Sequence, residues 1–161
     1  MLGEPIHSAL RSLRSLTEEE LEELIMGMGE RRFRAQQIAH WLHSSGISSI
    51  KEMANLPTSL REALSKEWCI DQLNEEAMQE SSDGTVKWLF RTADDHLIET
   101  VLIPADDRNS LCVSTQVGCA MGCHFCRTAK LGFKRNLESG EILDQFVMAQ
   151  RWLRLYRPQS G

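Results

Sequence analysis

The sequence predicts an α/β chain, α+β overall: a small helical domain over residues 1–80, a short β-hairpin, and over residues 81–161 the first units of a partial β/α barrel. Three observations predict it. Capping signals and apolar residues at helical spacing run through Leu64, turn and strand patterns begin after Cys69, and a strand, a cysteine-rich loop and a long amphipathic helix follow in that order.

The first helix starts at Thr17, which has capping-box spacing to Glu20; it carries Leu21, Leu24 and Ile25 and stops at Gly27 to Gly29. A second helix is expected from about Arg32 to Ser44, with Ile38, Trp41 and Leu42 on one side and Gly46 just past its end. Pro57 interrupts the following segment, and Ser59 with Glu62 offers another capping box before Leu60, Ala63 and Leu64. Trp41, Trp68, Trp88 and Cys69 are assigned to the core. Ser82, Asp83 and Gly84 make a turn signal, and Thr85 to Arg91 then reads as a strand of a hairpin. Further strands are expected at Leu97 to Ile103, ended by Pro104, and at Leu111 to Thr115. In the last helix Ile142, Phe146, Ala149, Leu153 and Tyr156 recur at helical spacing as its packing stripe.

With 161 residues, 42% hydrophobic and 25% charged, the chain has the composition of a globular protein. No apolar run approaches the roughly 20 residues of a membrane-spanning helix, and no secretory signal opens the chain, so a cytoplasmic protein without a membrane partner is expected. Five cysteines, an odd number, argue against a disulfide framework and towards metal binding or thiol chemistry. The net charge of −5 is uneven: from Arg127 onward seven basic residues face three acidic ones, so a phosphate-bearing partner finds its best approach at that end.

Cys119-Ala-Met-Gly-Cys123-His-Phe-Cys126 places three thiols at C-x3-C-x2-C spacing, with Gly118 and Gly122 supplying tight turns. Thiolates suit soft metals and iron-sulphur clusters. Three ligands on a four-iron cube leave one iron open, where the amino and carboxylate groups of S-adenosylmethionine can bind. Zinc or a redox thiol stays open on spacing alone, although only one close pair, Cys123 and Cys126, is present where structural zinc sites use two.

The aromatic before the third cysteine, Phe125, completes the signature that radical S-adenosylmethionine enzymes carry, and the surrounding sequence is more specific. Phe33-Arg-Ala-Gln-Gln-Ile38, Met53-Ala-Asn-Leu-Pro57, Ser82-Asp-Gly-Thr-Val-Lys-Trp88, Ile98-Glu-Thr-Val-Leu-Ile-Pro104, Leu111-Cys-Val-Ser-Thr-Gln-Val-Gly-Cys119 and Gly132-Phe-Lys-Arg-Asn-Leu137 followed by Glu141-Ile resemble, in that order, the bacterial RlmN family of RNA methyltransferases. The resemblance implies methyl transfer to C2 of an adenine in 23S rRNA and in some tRNAs, using a 4Fe-4S cluster held by Cys119, Cys123 and Cys126, with Phe125 near the adenine of S-adenosylmethionine. In that family one cofactor molecule methylates a cysteine near the C-terminus and a second is cleaved to a 5'-deoxyadenosyl radical that activates the methyl group. C2 of adenine is electron-poor and does not attack a sulphonium as a nucleophile, which is why a radical route is needed.

By motif, Glu99 matches the family's proton acceptor and Cys112 the cysteine that forms a transient disulfide with the methyl-bearing cysteine. A carboxylate inside an apolar strand would have a raised pKa, which suits a general base; alone, Glu99 reads as well as a solvent-facing charge on an edge strand, and Cys112 as a small buried hydrophobe. The helical unit resembles the family's accessory RNA-binding domain, with Arg31, Arg32 and Arg34 as candidates for phosphate contacts. An electron donor such as flavodoxin or ferredoxin is implied, and a monomer is expected. The runner-up readings are a C8-adenine resistance methylase and a non-catalytic RNA-binding module with a metal staple. Two departures stand out. His124 occupies a position where relatives more often have lysine, and the chain offers no later cofactor-binding strands or methyl-carrying cysteine, so a fragment inactive by itself is expected.

Overall fold

The computed structural model describes residues 10–44, 47–106, 108–121 and 132–157. Its elements are β1 (Arg11–Ser12), α1 (Glu18–Gly27), α2 (Phe33–Ser44), α3 (Thr58–Glu67), β2 (Trp68–Cys69), β3 (Asn74–Glu80), β4 (Val86–Arg91), β5 (Leu97–Pro104), β6 (Asn109–Cys112), β7 (Gln116–Val117), β8 (Arg135–Asn136) and α4 (Ser139–Tyr156). Short 3-10 turns occupy Leu13–Ser15 and Ile50–Glu52.

Thr17 caps α1 as its spacing predicts: its hydroxyl accepts the Glu20 N–H at 3.2 Å, and the Glu20 carboxylate accepts the Thr17 N–H at 2.8 Å. The expected Ser59–Glu62 box does not form. Pro57 takes the cap position of α3 without a side-chain bond, so the helix is already under way at Ser59. A box of that kind instead closes the turn at Ser49 and Glu52.

The apolar side chains gather into two clusters. One runs from Leu13 to Ile70 and joins the three helices with Trp68; the other runs from Leu73 to Trp152 and joins the sheet with α4. They divide between Ile70 and Leu73, ahead of residue 80, because residues 74–80 form β3 and pair with β4. The sequence pattern does not mark this strand, since almost every residue of it faces solvent and none of the alternation of a half-buried strand is needed.

The four strands order as β3-β4-β5-β6, each pair antiparallel. Alternation along β5 is clean: Ile98, Thr100 and Leu102 are buried, while Leu97, Glu99 and Ile103 are exposed. The buried face meets α4, where Trp88 and Trp152 pack edge to face with centroids 5.8 Å apart. The third expected strand is displaced towards the N-terminus, ending at Cys112 rather than Thr115.

The expected stripe on α4 is partly wrong. Ala149 is buried, but Phe146 and Tyr156 are exposed, and the buried face is built from Glu141, Asp144, Gln145, Val147, Ala149 and Trp152. Apolar periodicity missed it because three of those positions are polar, each buried against a polar partner: Asp144 with the buried Arg14, Gln145 with the buried Thr100, and Glu141 with the half-buried Arg135. Among the described residues no helix is long and apolar enough to cross a membrane.

Candidate functional site

Glu99 and Cys112 share one face of the sheet. Val101 pairs in register with Cys112, and cross-strand partners project to the same side, so Glu99, two residues before Val101, is the diagonal neighbour of Cys112. Diagonal neighbours lie roughly 7–8 Å apart. Both side chains are open to solvent: Glu99 is 56% exposed and pairs with Lys87 at 3.1 Å, and Cys112 is an exposed free thiol. The expectation of a carboxylate enclosed in an apolar strand therefore does not hold, and neither does that of a buried Cys112. Alternation puts both on the outward side of β5 and β6.

Past Cys112 the chain leaves the sheet and enters the loop that holds the three-cysteine motif. The base of that loop is closed by β7 and β8, with Lys134 N–H donating to the Val117 carbonyl at 3.0 Å and Leu137 N–H to the Thr115 carbonyl at 2.9 Å. Gly118 sits at φ +72°, and a Cβ there would lie 1.7 Å from the Gly132 carbonyl oxygen. Only glycine satisfies both the conformation and the close approach of the two limbs. The expectation for Gly118 is met; Gly122 lies outside the described residues.

Two polar contacts fasten the limbs to α4. On the outgoing limb Arg135 forms paired hydrogen bonds to Glu141 (2.7 and 2.8 Å) and to Asp94 in the β4–β5 turn (2.7 and 2.7 Å). The guanidinium holds the Asp94 carboxyl well below the usual carboxylate range. On the incoming limb the fully buried Gln145 bonds both the N–H and the carbonyl of Ser114. The sequence showed Arg135 only as one of the basic residues near the C-terminal end, within the Gly132 to Ile142 motif, and offered no signal for Gln145.

Cys119 is half-buried, and its sulphur accepts the Met121 N–H at 3.4 Å. Hydrogen bonds to sulphur are one means by which proteins tune iron-sulphur centres. Cys123, Phe125 and Cys126, with His124, lie outside the described residues. Among the described residues no group of three His, Cys, Asp or Glu side chains is placed to hold a metal. The donor set nevertheless fits an iron-sulphur cluster: three soft thiols within eight residues, on a loop whose two ends are pinned together.

A second buried polar group joins the helical unit to α4. Arg14 donates to Asp144 at 2.7 Å, to Asp71, and to the Ile47 and Leu42 carbonyls, while Arg151 donates to Asp71 at 2.6 Å. Burial, reinforced by Asp71 and opposed by Arg14, pushes the Asp144 carboxyl up to about 6. Arg151 and Arg157, two of the basic residues expected near the C-terminal end, are thus committed to Asp71 and Glu80. On the helical unit Arg32 pairs with Glu22 at 2.8 Å, Arg34 bonds Gln37 and the Asn55 carbonyl, and Arg31 is exposed. The core assignments of Trp68 and Trp88 hold; Trp41 is half-buried with its indole N–H on Asn55, and burial pushes the Cys69 thiol up to about 11.

Comparison with known proteins places these features in a family. Residues 12–70 match the family model described as the ribosomal RNA large subunit methyltransferase N-terminal domain. The chain is 49% identical over 148 residues to the dual-specificity RNA methyltransferase RlmN of Anaeromyxobacter dehalogenans, covering 92% of this chain and 40% of that protein. It is 45% identical over 139 residues to the protein of the same name from Geotalea uraniireducens, covering 86% of this chain and 40% of the relative. A radical SAM methyltransferase from Sphaerobacter thermophilus superposes with a TM-score of 0.86 at 42% identity, covering 90% of this chain and 43% of that structure. The chain spans about two fifths of the length of these relatives. It belongs to the RlmN family of the radical SAM methyltransferases, as a portion that includes the family's N-terminal domain.

Proposed function

We propose that this chain is the cluster-holding portion of an RNA methyltransferase acting on C2 of adenine in 23S rRNA and in some tRNAs. The observation that carries the reading is the shared sheet face of Glu99 and Cys112, leading directly into the pinned loop with Cys119. In this reading Cys119, Cys123 and Cys126 hold three irons of a 4Fe-4S cluster, and Phe125 lies beside the adenine of S-adenosylmethionine. When bound, the cluster with its cofactor supplies the radical chemistry that the protein's own side chains lack.

Glu99 takes up the proton that leaves C2. Its exposure leaves the carboxylate open to an incoming base, and Lys87 beside it at 3.1 Å offsets its charge. Cys112, whose sulphur is accessible, forms the family's transient disulfide with the methyl-bearing cysteine: the sulphur-sulphur bond forms as that cysteine's bond to the carbon now on the base breaks, and its electrons leave with the product. The helical unit, whose core ends at Ile70, grips structured RNA, with the exposed Arg31 as a phosphate contact. An electron donor of the flavodoxin or ferredoxin type, a cytoplasmic location and a monomeric state complete the reading.

Anaerobic reconstitution followed by electron paramagnetic resonance tests it. A reducible four-iron signal that changes on addition of S-adenosylmethionine is expected. A metal held wholly by protein ligands and indifferent to that molecule would replace this reading with a metal-stapled RNA-binding module. In a full-length family member carrying this segment, the methylated carbon separates C2 from C8 chemistry.

A further inference from the structure

Gln145 has no exposed surface, and its carboxamide bonds both backbone polar groups of a single residue, Ser114. Its Oε1 accepts the Ser114 N–H at 2.8 Å and the Thr100 hydroxyl at 2.7 Å; its Nε2 donates to the Ser114 carbonyl at 2.9 Å and to the Glu141 carbonyl at 3.2 Å. Every hydrogen-bonding position of the amide is used. The pairing with Ser114 is the pattern that a peptide group of a neighbouring strand would offer. It occurs where the chain needs one, because the β5–β6 ladder ends at Cys112 and β7 begins only at Gln116. Ser114 then donates its hydroxyl to the Glu99 carbonyl at 2.7 Å.

We propose that Gln145 is a positioning residue that stands in for a missing strand, fixing the limb between Cys112 and Cys119 against α4 and β5 so that the thiol loop and the Glu99 backbone keep one geometry. The cluster half of this statement rests on the proposed function. The side chain is specific. Asparagine is one methylene too short to span from α4 to Ser114, methionine fills the volume with no polar atom to offer, and glutamate in its ionised form cannot donate to the Ser114 carbonyl.

The test uses the 161-residue chain with Gln145→Met and, as a milder change of equal size, Gln145→Glu. Amide hydrogen exchange is read by mass spectrometry over residues 113–117 and, as an internal reference, over β4. Iron content and the electron paramagnetic resonance spectrum are read after anaerobic reconstitution. We expect exchange over 113–117 to rise at least tenfold with β4 unchanged, iron content to fall at least twofold, and the remaining signal to lose its response to S-adenosylmethionine. Unchanged exchange over 113–117, or a rise equal to that in β4, overturns the positioning role. Local loosening with iron content and spectrum of wild type overturns its link to the cluster. If wild type itself takes up no cluster, the proposed function fails, and the exchange comparison still decides for or against Gln145 as the tie of this limb.

Discussion

Gly118→Ala should damage the chain more than Gly132→Ala, although both glycines lie at the base of the same loop and both have positive φ, +72° and +68°. An alanine in the left-handed region costs about 1–2 kcal/mol, and that is the whole expected effect at Gly132, where a Cβ meets nothing among the described residues within 4 Å. At Gly118 the Cβ would stand 1.7 Å from the Gly132 carbonyl oxygen, a backbone atom that moves only if the limbs part. Parting them endangers the Lys134 to Val117 and Leu137 to Thr115 hydrogen bonds, 3.0 and 2.9 Å long. At about 1 kcal/mol net for each bond, the total for Gly118→Ala reaches about 3–4 kcal/mol, roughly twice that of its neighbour. Urea denaturation of the two variants reads the global part. Because the ladder can open while the sheet persists, exchange of the Lys134 and Leu137 amides reads the local part. Equal midpoints together with equal protection of those amides would refute the close-approach argument.

Arg135→Ala leaves Glu141, whose side chain is 4% exposed, buried without its cation; a loss of about 3 kcal/mol is expected in chemical denaturation, and a loss under about 1 kcal/mol would show that water replaces the guanidinium. Thr17→Ala removes the α1 capping box and should cost about 1 kcal/mol, measurable as a lower denaturation midpoint with unchanged slope. Asp144 gives a pH signature. Its folded value of about 6 lies above the ordinary 3.8, so the folded chain binds the proton more tightly than the unfolded one, and this group's contribution falls as pH rises from about 4 to about 6 and is flat above. Wild type should therefore gain stability relative to Asp144→Asn as pH drops from 7 to 4; a gap that is constant or shrinks over that range contradicts the assignment.

What could be read from the sequence was local. Thr17 and Glu20 are three residues apart, and their box forms as the spacing says. The C-x3-C-x2-C motif and the motifs around it led to the family without any tertiary information. Most of what failed depended on distant partners. Strand β3 exists because Val86–Arg91 offers it an edge, and its own residues carry no strand pattern. Ser59 lost its cap role to Pro57, a contest that spacing alone does not decide. Glu99 and Cys112 were identified by motif, yet their exposure follows from the register of β5 with β6, which no local window contains. Arg135 reaches Asp94 across 41 residues and Gln145 reaches Thr100 across 45, so neither had a signature of its own.

The buried face of α4 explains why these distant ties are the decisive ones. Glu141, Asp144 and Gln145 follow one another at helical spacing, and each ends on a different part of the chain: Arg135 at the loop base, Arg14 of the helical unit, and Ser114 beside the sheet. Apolar residues at those positions would pack comparably in many rotations of the helix, because hydrophobic contact has no direction. Polar groups taken out of water tolerate only the arrangement in which each meets its partner, since a lone buried charge costs several kcal/mol. One helix rotation satisfies all three partners together, so the helical unit, the sheet face with Glu99 and Cys112, and the cysteine loop are referred to a common element. A stripe of leucines on α4 would hold the same parts together without saying where the loop must stand.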